Sequence, residues 1–172
     1  MFYKPCVCHH NCLKRSIHVL GLWYIFLFGN NNNIGNVLGS TVGFDPQVFG
    51  EGISAIYSDG MWLGALLSIE RESGYWIIID SASELEVHGT PTDPDLVYNL
   101  DIYTNLISYP FMGSAPVEET IPDGAQGSID AILGEGSAAI NDGINWGGSL
   151  MNLSGTEGYW FITNTEVSFS FI

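Results

Sequence analysis

The feature that most constrains this chain is an internal repeat. Residues 43–78 match residues 127–162 without a gap at an offset of 84, with 13 identities in 36 positions, where chance gives about two. The identities include Gly50-Glu51-Gly52 on Gly134-Glu135-Gly136, Ala55-Ile56 on Ala139-Ile140, Trp62 on Trp146, Gly64 on Gly148 and Leu66 on Leu150. Gly74-Tyr75-Trp76 falls on Gly158-Tyr159-Trp160 in the same register. Two halves of common descent must adopt one unit fold twice, so a residue type that one copy lacks is not demanded by that fold. Further upstream the match fades: "LGLWYIFLFG" (20–29) lies on "TNLISYPFMG" (104–113) with only Leu22/Leu106 and Gly29/Gly113 identical. The position of an opening strand is kept there while its sequence is lost.

The better-preserved second copy gives the local reading. "IYTNLISYPF" (102–111) is β-branched and aromatic and ends at Pro110, so it predicts a strand running into a turn. "SAPVEETIP" predicts one short helix, with Ser114 as cap, Pro116 in the first turn and Pro122 as the stop. Its counterpart "NNIGNVLGS" (32–40) has Asn to cap it and Gly39 to end it. "SIDAILGEGSAAI" (128–140) predicts two strand segments joined or kinked at Gly134-Glu135-Gly136. "SDG" (58–60) and "NDG" (141–143) supply turn chemistry. The Gly-Tyr-Trp strand and a last alternating strand follow, "SELEVH" (83–88) or "EVSFSFI" (166–172). The expected fold is mainly β: two tandem homologous units of about six short strands plus one short helix each. Unit 1 spans 31–88, a proline-containing linker 89–98, and unit 2 99–172, as two small domains or as two halves of one pseudo-symmetric domain.

Residues 1–30 stand apart. All three cysteines, Cys6, Cys8 and Cys12, lie there, so no disulfide framework holds the body together. "CVCHHNC" contains ligand types, but its spacing matches no zinc-binding pattern and reads as structural or accidental. Lys14 and Arg15 precede the apolar run "SIHVLGLWYIFLFG", which is short for a membrane span and suited to an export signal, though no cleavage site follows. The segment reads as a signal, an anchor or a non-native extension. Charge follows the same break: all 19 acidic residues lie at or beyond Asp45, against a single base there, Arg71, and the net charge is −15. Such a surface repels nucleic acid and anionic lipid, so neither is an expected partner.

The string formed by "NLISYPF", a short acidic helix, "IDAILGEGSAAI", a Trp-Gly-Gly-Ser-Leu run and "EGYWFIT" resembles the tandem repeats of large, multi-modular secreted or surface proteins of environmental bacteria, some of them phage-associated. The resemblance covers about residues 33–172 and implies an extracellular, mainly β module. It transfers no catalytic residue.

No catalytic signature emerges from the residues themselves. The body has only His88 as an imidazole base and no cysteine, and it contains no nucleophile elbow, P-loop or dinucleotide fingerprint. Glu51 and Glu135 recur between glycines, which suits a turn residue bonding its own backbone better than one of a glycosidase pair. Acidic stretches at 80–86 and 92–101 offer oxygen atoms to calcium without a known loop spacing, so no cofactor is expected, calcium being a weak alternative. In "GYWIIID", Tyr75, Ile77 and Ile79 alternate with Trp76 and Ile78, apolar on both faces, which predicts a covered central strand with Trp76 and Trp160 in the core. Trp62 and Trp146, beside turns, are the candidates for stacking on a sugar. The function expected is a non-enzymatic secreted or cell-surface module with a structural or adhesive role, its partners being other repeats of the same or neighbouring chains. A carbohydrate-binding module using Trp62 and Trp146, and a fibre subunit assembling by strand complementation, are the alternatives.

Overall fold

The computed structural model describes residues 6–13, 17–21, 32–80, 83–89, 92–155 and 157–172; for 6–13, 17–21 and 83–89 it describes the backbone, together with the Leu85 side chain. The fold is mainly β, built from antiparallel sheets. Unit 1 contains β1 (Cys6–Leu13), β2 (Ile17–Gly21), the helical turn α1 (Ile34–Val37), β3 (Gln47–Gly50), β4 (Ile53–Ser58), β5 (Met61–Gly64), β6 (Gly74–Ile78) and β7 (Ser83–Gly89). Unit 2 contains β8 (Tyr98–Leu100), β9 (Tyr103–Ser108), β10 (Ser114–Pro116), α2 (Val117–Thr120), α3 (Asp123–Gln126), β11 (Ile129–Gly134), β12 (Ser137–Asn141), β13 (Trp146–Gly148), β14 (Asn152–Ser154), β15 (Gly158–Thr163) and β16 (Val167–Phe169).

The repeat is visible in the topology. One five-stranded sheet runs β2-β6-β3-β4-β5 and the other β9-β15-β11-β12-β13, the same order strand for strand. Each unit also has a ribbon pairing its first and last strands, β1 with β7 and β8 with β16. The sequence-divergent N-terminal segment therefore fills the places of β8 and β9, so that strands within residues 1–30 belong to unit 1, which does not begin at residue 31 as the repeat alone suggests. The segment fills them in another register: Gly21 faces Gly74, whereas in unit 2 Ser108, the repeat partner of Tyr24, faces Gly158. A shift of three residues cannot be followed by a gap-free comparison, which is one reason so little identity is found there. Most of the apolar run proposed as a signal, from Leu22 onward, lies outside the described residues.

The two strand segments expected to be joined or kinked at Gly-Glu-Gly are joined there by a two-residue hairpin. Gly50 pairs with Ile53 and Gly134 with Ser137, and Gly52 and Gly136 take φ of +68° and +69°. The expected single helix of unit 2 is two turns instead. Pro122 ends α2 because it has no N–H to donate, and its fixed φ then opens α3. Ser114 lies in β10 and caps neither turn. In unit 1 the Asn33 side chain does cap α1, accepting from the Gly35 N–H at 2.9 Å, while Gly39 begins a 3-10 turn, Gly39–Phe44.

Each unit has its own core. Ile34, Leu38, Val48, Ile69, Tyr75, Ile77 and Leu85 are buried in unit 1; in unit 2 Tyr98, Tyr109, Phe161, Phe169 and Phe171 form an aromatic cluster with ring centroids 5.0 to 6.3 Å apart. The units meet along a seam. β6 approaches β9 and β15, and β15 approaches β2, a pattern unchanged when the units are exchanged, as an approximate two-fold axis requires. At the seam Ser73 bridges Ile107, and the Ser108 N–H donates to the Glu72 carbonyl at 3.0 Å. The outer edge of β9 is thereby covered by unit 1.

Candidate functional site

The repeated residues are the natural place to look for a site, and in both units they pack against one another. A Cβ on Gly50 would stand 3.2 Å from the Tyr75 ring, and one on Gly134 3.3 Å from the Tyr159 ring, so the first glycine of Gly-Glu-Gly gives the tyrosine of Gly-Tyr-Trp room to lie flat. The two tyrosines are buried. Tyr75 Oη accepts the Glu70 N–H at 2.8 Å, and Tyr159 Oη the Ser154 N–H at 2.7 Å. Burial raises the pKa of both hydroxyls; at Tyr159 the neighbouring Glu157 carboxylate, which accepts its proton at 2.9 Å, pushes the same way. The glycine two residues after Trp62 and after Trp146 is equally structural. At Gly64 (φ +136°) a Cβ would fall 2.4 Å from the Ser54 carbonyl oxygen, and at Gly148 (φ +128°) 2.2 Å from that of Ala138. Those carbonyls are occupied by the N–H groups of Leu66 and Leu150.

Gly74 and Gly158, which open the Gly-Tyr-Trp strands, are buried, and a Cβ on Gly74 would meet the Ile107 carbonyl oxygen at 2.8 Å. Trp76 and Trp160 depart from expectation. They lie on the sheet face opposite Tyr75 and Tyr159 and are half-buried, outside both core clusters. The strands are central in their sheets as predicted, but the outer face is not sealed as the core face is.

Trp62 and Trp146, the candidate sugar platforms, point the other way and pack half-buried against the cores. Trp62 stands edge-on to Tyr57 at 5.4 Å, and its buried Nε1 has no hydrogen-bond partner. Trp146 Nε1 donates to Gln126 Oε1 at 3.1 Å. Beside it a shallow depression of about 340 Å³ is lined by Asp123, Gln126, Asn141 and Ile144. Its amides are already engaged: Gln126 Nε2 donates to the carbonyls of Glu118 and Ile121, and Asn141 Nδ2 to those of Gln126 and Ile129. A sugar entering there would have to displace structural hydrogen bonds.

Glu51 does not bond its own turn. Its Oε2 accepts the Leu106 N–H across the seam at 3.1 Å, tying the unit 1 hairpin to strand β9 of unit 2. Its twin Glu135 is equally exposed and makes no such bond to a described residue across the seam. Among the described residues no group of three His, Cys, Asp or Glu stands close enough to hold a metal ion, and no helix is long and apolar enough to cross a membrane. The side chains of Cys6, Cys8, Cys12 and His88 lie outside the described residues, as does part of the 80–86 stretch. In the other acidic stretch the Asp93 carboxylate accepts the Asp95 N–H at 3.0 Å.

The surface that sequence reasoning missed is the outer face of the unit 1 sheet. Phe49 (39% exposed), Ile56 (41%), Met61 (55%) and Leu63 (47%) share it with half-buried Trp76 and Ile78, and the other positions on it whose side chains are described in β3, β4 and β5, Gln47, Ser54 and Ser58, are uncharged. The signal was present in "SAIYSDGMWLG", where apolar residues occupy both alternation classes. Comparison with protein-family models, with curated proteins and with solved structures finds no match.

Proposed function

We propose that the chain is a non-enzymatic β module, secreted or displayed at the cell surface, with a structural and adhesive role in a larger assembly. The observation behind this reading is the use of the repeated residues. Gly50 and its twin Gly134 make room for the tyrosine rings, Tyr75 and Tyr159 bind the backbone and Gly64 and Gly148 make room for the backbone of their own unit, and, among the described residues, the one repeated carboxylate with a partner, that of Glu51, ties the units together. A duplicated chain whose repeated residues hold a scaffold acts through its shape and surface. The resemblance to tandem repeats of bacterial surface proteins supports the same reading, with other repeats as partners.

Two measurements test it. Protease treatment of intact source cells, read with an antibody to the chain, is expected to remove the protein, and recovery only from the cytosol overturns the location. A glycan array probed with the full chain is expected to stay dark. A signal abolished by Trp62→Ala and Trp146→Ala overturns the reading in favour of a carbohydrate-binding module.

A further inference from the structure

The two units have diverged on their outer sheet faces in one direction. At Phe49, Met61 and Leu63 the repeat partners in unit 2 are the smaller or more polar Leu133, Asn145 and Gly147. Over the same sheet the partners of Asp45 and Asp80 are the uncharged Ile129 and Asn164. Unit 1 is thus more apolar on this face, and at one end of it carries three acids where unit 2 carries two, Asp130 and Asp142. The acids are gathered at one end: the Asp80 N–H donates to the Phe44 carbonyl at 3.1 Å, placing Asp80 next to Asp45, and Asp59 occupies the β4–β5 turn at that end. All three are exposed.

The extra apolar side chains do not serve the unit fold, since unit 2 forms the same sheet without them. Exposed apolar side chains on an uncharged face stay in water at a cost of about 25 cal/mol per Å², which a covering partner recovers. The partner must also meet the carboxylates. A second copy of the chain cannot do so through its body, which from Asp45 onward holds 19 acids and one base. We propose that the outer face of the β2-β6-β3-β4-β5 sheet docks a cationic amphipathic segment of a partner protein, its apolar side on Phe49, Ile56 and Leu63 and its Lys or Arg groups at Asp45, Asp59 and Asp80. This deepens the adhesive reading above and rests on it.

The probes are two short amphipathic peptides with the same apolar positions, one with lysine at every polar position and one with glutamate, titrated against the full chain by calorimetry at low and high salt. The lysine peptide binds, more weakly as salt rises, and the glutamate peptide does not. Phe49→Ser/Ile56→Ser/Leu63→Ser weakens binding by about tenfold or more, and Asp45→Asn/Asp80→Asn weakens it and flattens its salt dependence. Glu118→Gln/Glu119→Gln, acids of α2 in unit 2, leaves it unchanged. Met61→Lys, an exposed substitution that spares the core, also weakens the lysine peptide and controls for misfolding of the triple variant. Equal binding to parent and face variants, or none to the parent, overturns the proposal. Sedimentation showing a dimer that the triple variant abolishes also overturns it, assigning the face to a second copy. These outcomes leave the surface location and the dark glycan array untouched, so the two readings fail separately.

Discussion

At the scale of single residues, the repeat acts as a natural double experiment. Trp146 donates its indole N–H to Gln126, while Trp62 in the same structural position buries an N–H with no partner. At the repeat offset the residue of unit 1 matching Gln126 is Val42. An unpaired buried donor costs about 1–3 kcal/mol, and a made hydrogen bond returns about 1 kcal/mol. Val42→Gln is therefore expected to stabilise unit 1 by about 1 kcal/mol, read as a higher denaturant midpoint with unchanged slope. Gln126→Val is expected to destabilise unit 2 by more, toward about 3 kcal/mol, because Gln126 also supplies donors to the carbonyls of Glu118 and Ile121. If the two substitutions act alike, the unpartnered Trp62 nitrogen is not a weak point of unit 1.

At the scale of elements, the short strand after each turn depends on a glycine that no other residue replaces. Gly64 and Gly148 bring β5 and β13 so close to the preceding strand that any Cβ would stand 2.4 or 2.2 Å from a carbonyl oxygen, well inside van der Waals contact, and their φ angles exclude ordinary side chains. Gly148→Ala is expected to cost about 3 kcal/mol or more, against less than about 1 kcal/mol for Gly147→Ala next to it, where a Cβ meets nothing within 4 Å. Thermal unfolding of the pair checks this. Element type was largely legible in the sequence: hairpin at Gly-Glu-Gly, turns at SDG and NDG, central Gly-Tyr-Trp strand. Two features were not. The split of "VEETIPDGAQ" into α2 and α3 turns on Pro122 acting as stop and start at once, and a stop signal alone does not tell whether a loop or a second helical turn comes next. The half-exposed Trp76 and Trp160 were misplaced because apolar alternation on both faces says that a strand is suited to cover on two sides, not that two covers exist. The role of Glu51 was invisible for a related reason, since its partner lies 55 residues away in the other unit.

At the scale of the whole molecule, two cores share one seam, and the seam is asymmetric in a testable way. Glu51→Ala leaves the Leu106 N–H without its acceptor at a buried position and is expected to cost about 1–2 kcal/mol. Glu135→Ala, at the exposed twin position, is expected to be neutral within about 0.5 kcal/mol; equal losses would remove the seam role of Glu51. The cores also differ in how they answer alkali. Among the described residues, burial raises the hydroxyl pKa values of Tyr98, Tyr109 and Tyr159 in unit 2 and of Tyr75 in unit 1. An unfolded tyrosine titrates near about 10, so above that pH the unfolded chain releases protons that the native state still holds, and stability must fall as pH rises. The contribution is intact below about pH 10 and is lost progressively toward the higher native values. With three such groups in unit 2 against one among the described residues of unit 1, unit 2 is expected to open first. Phenolate absorbance should rise cooperatively, together with loss of the near-ultraviolet dichroism of its aromatic cluster and before exchange protection is lost in β3 and β6. Smooth titration of every tyrosine near its ordinary value, with that dichroism intact, would show that the unit 2 core does not hold its hydroxyls as the fold requires.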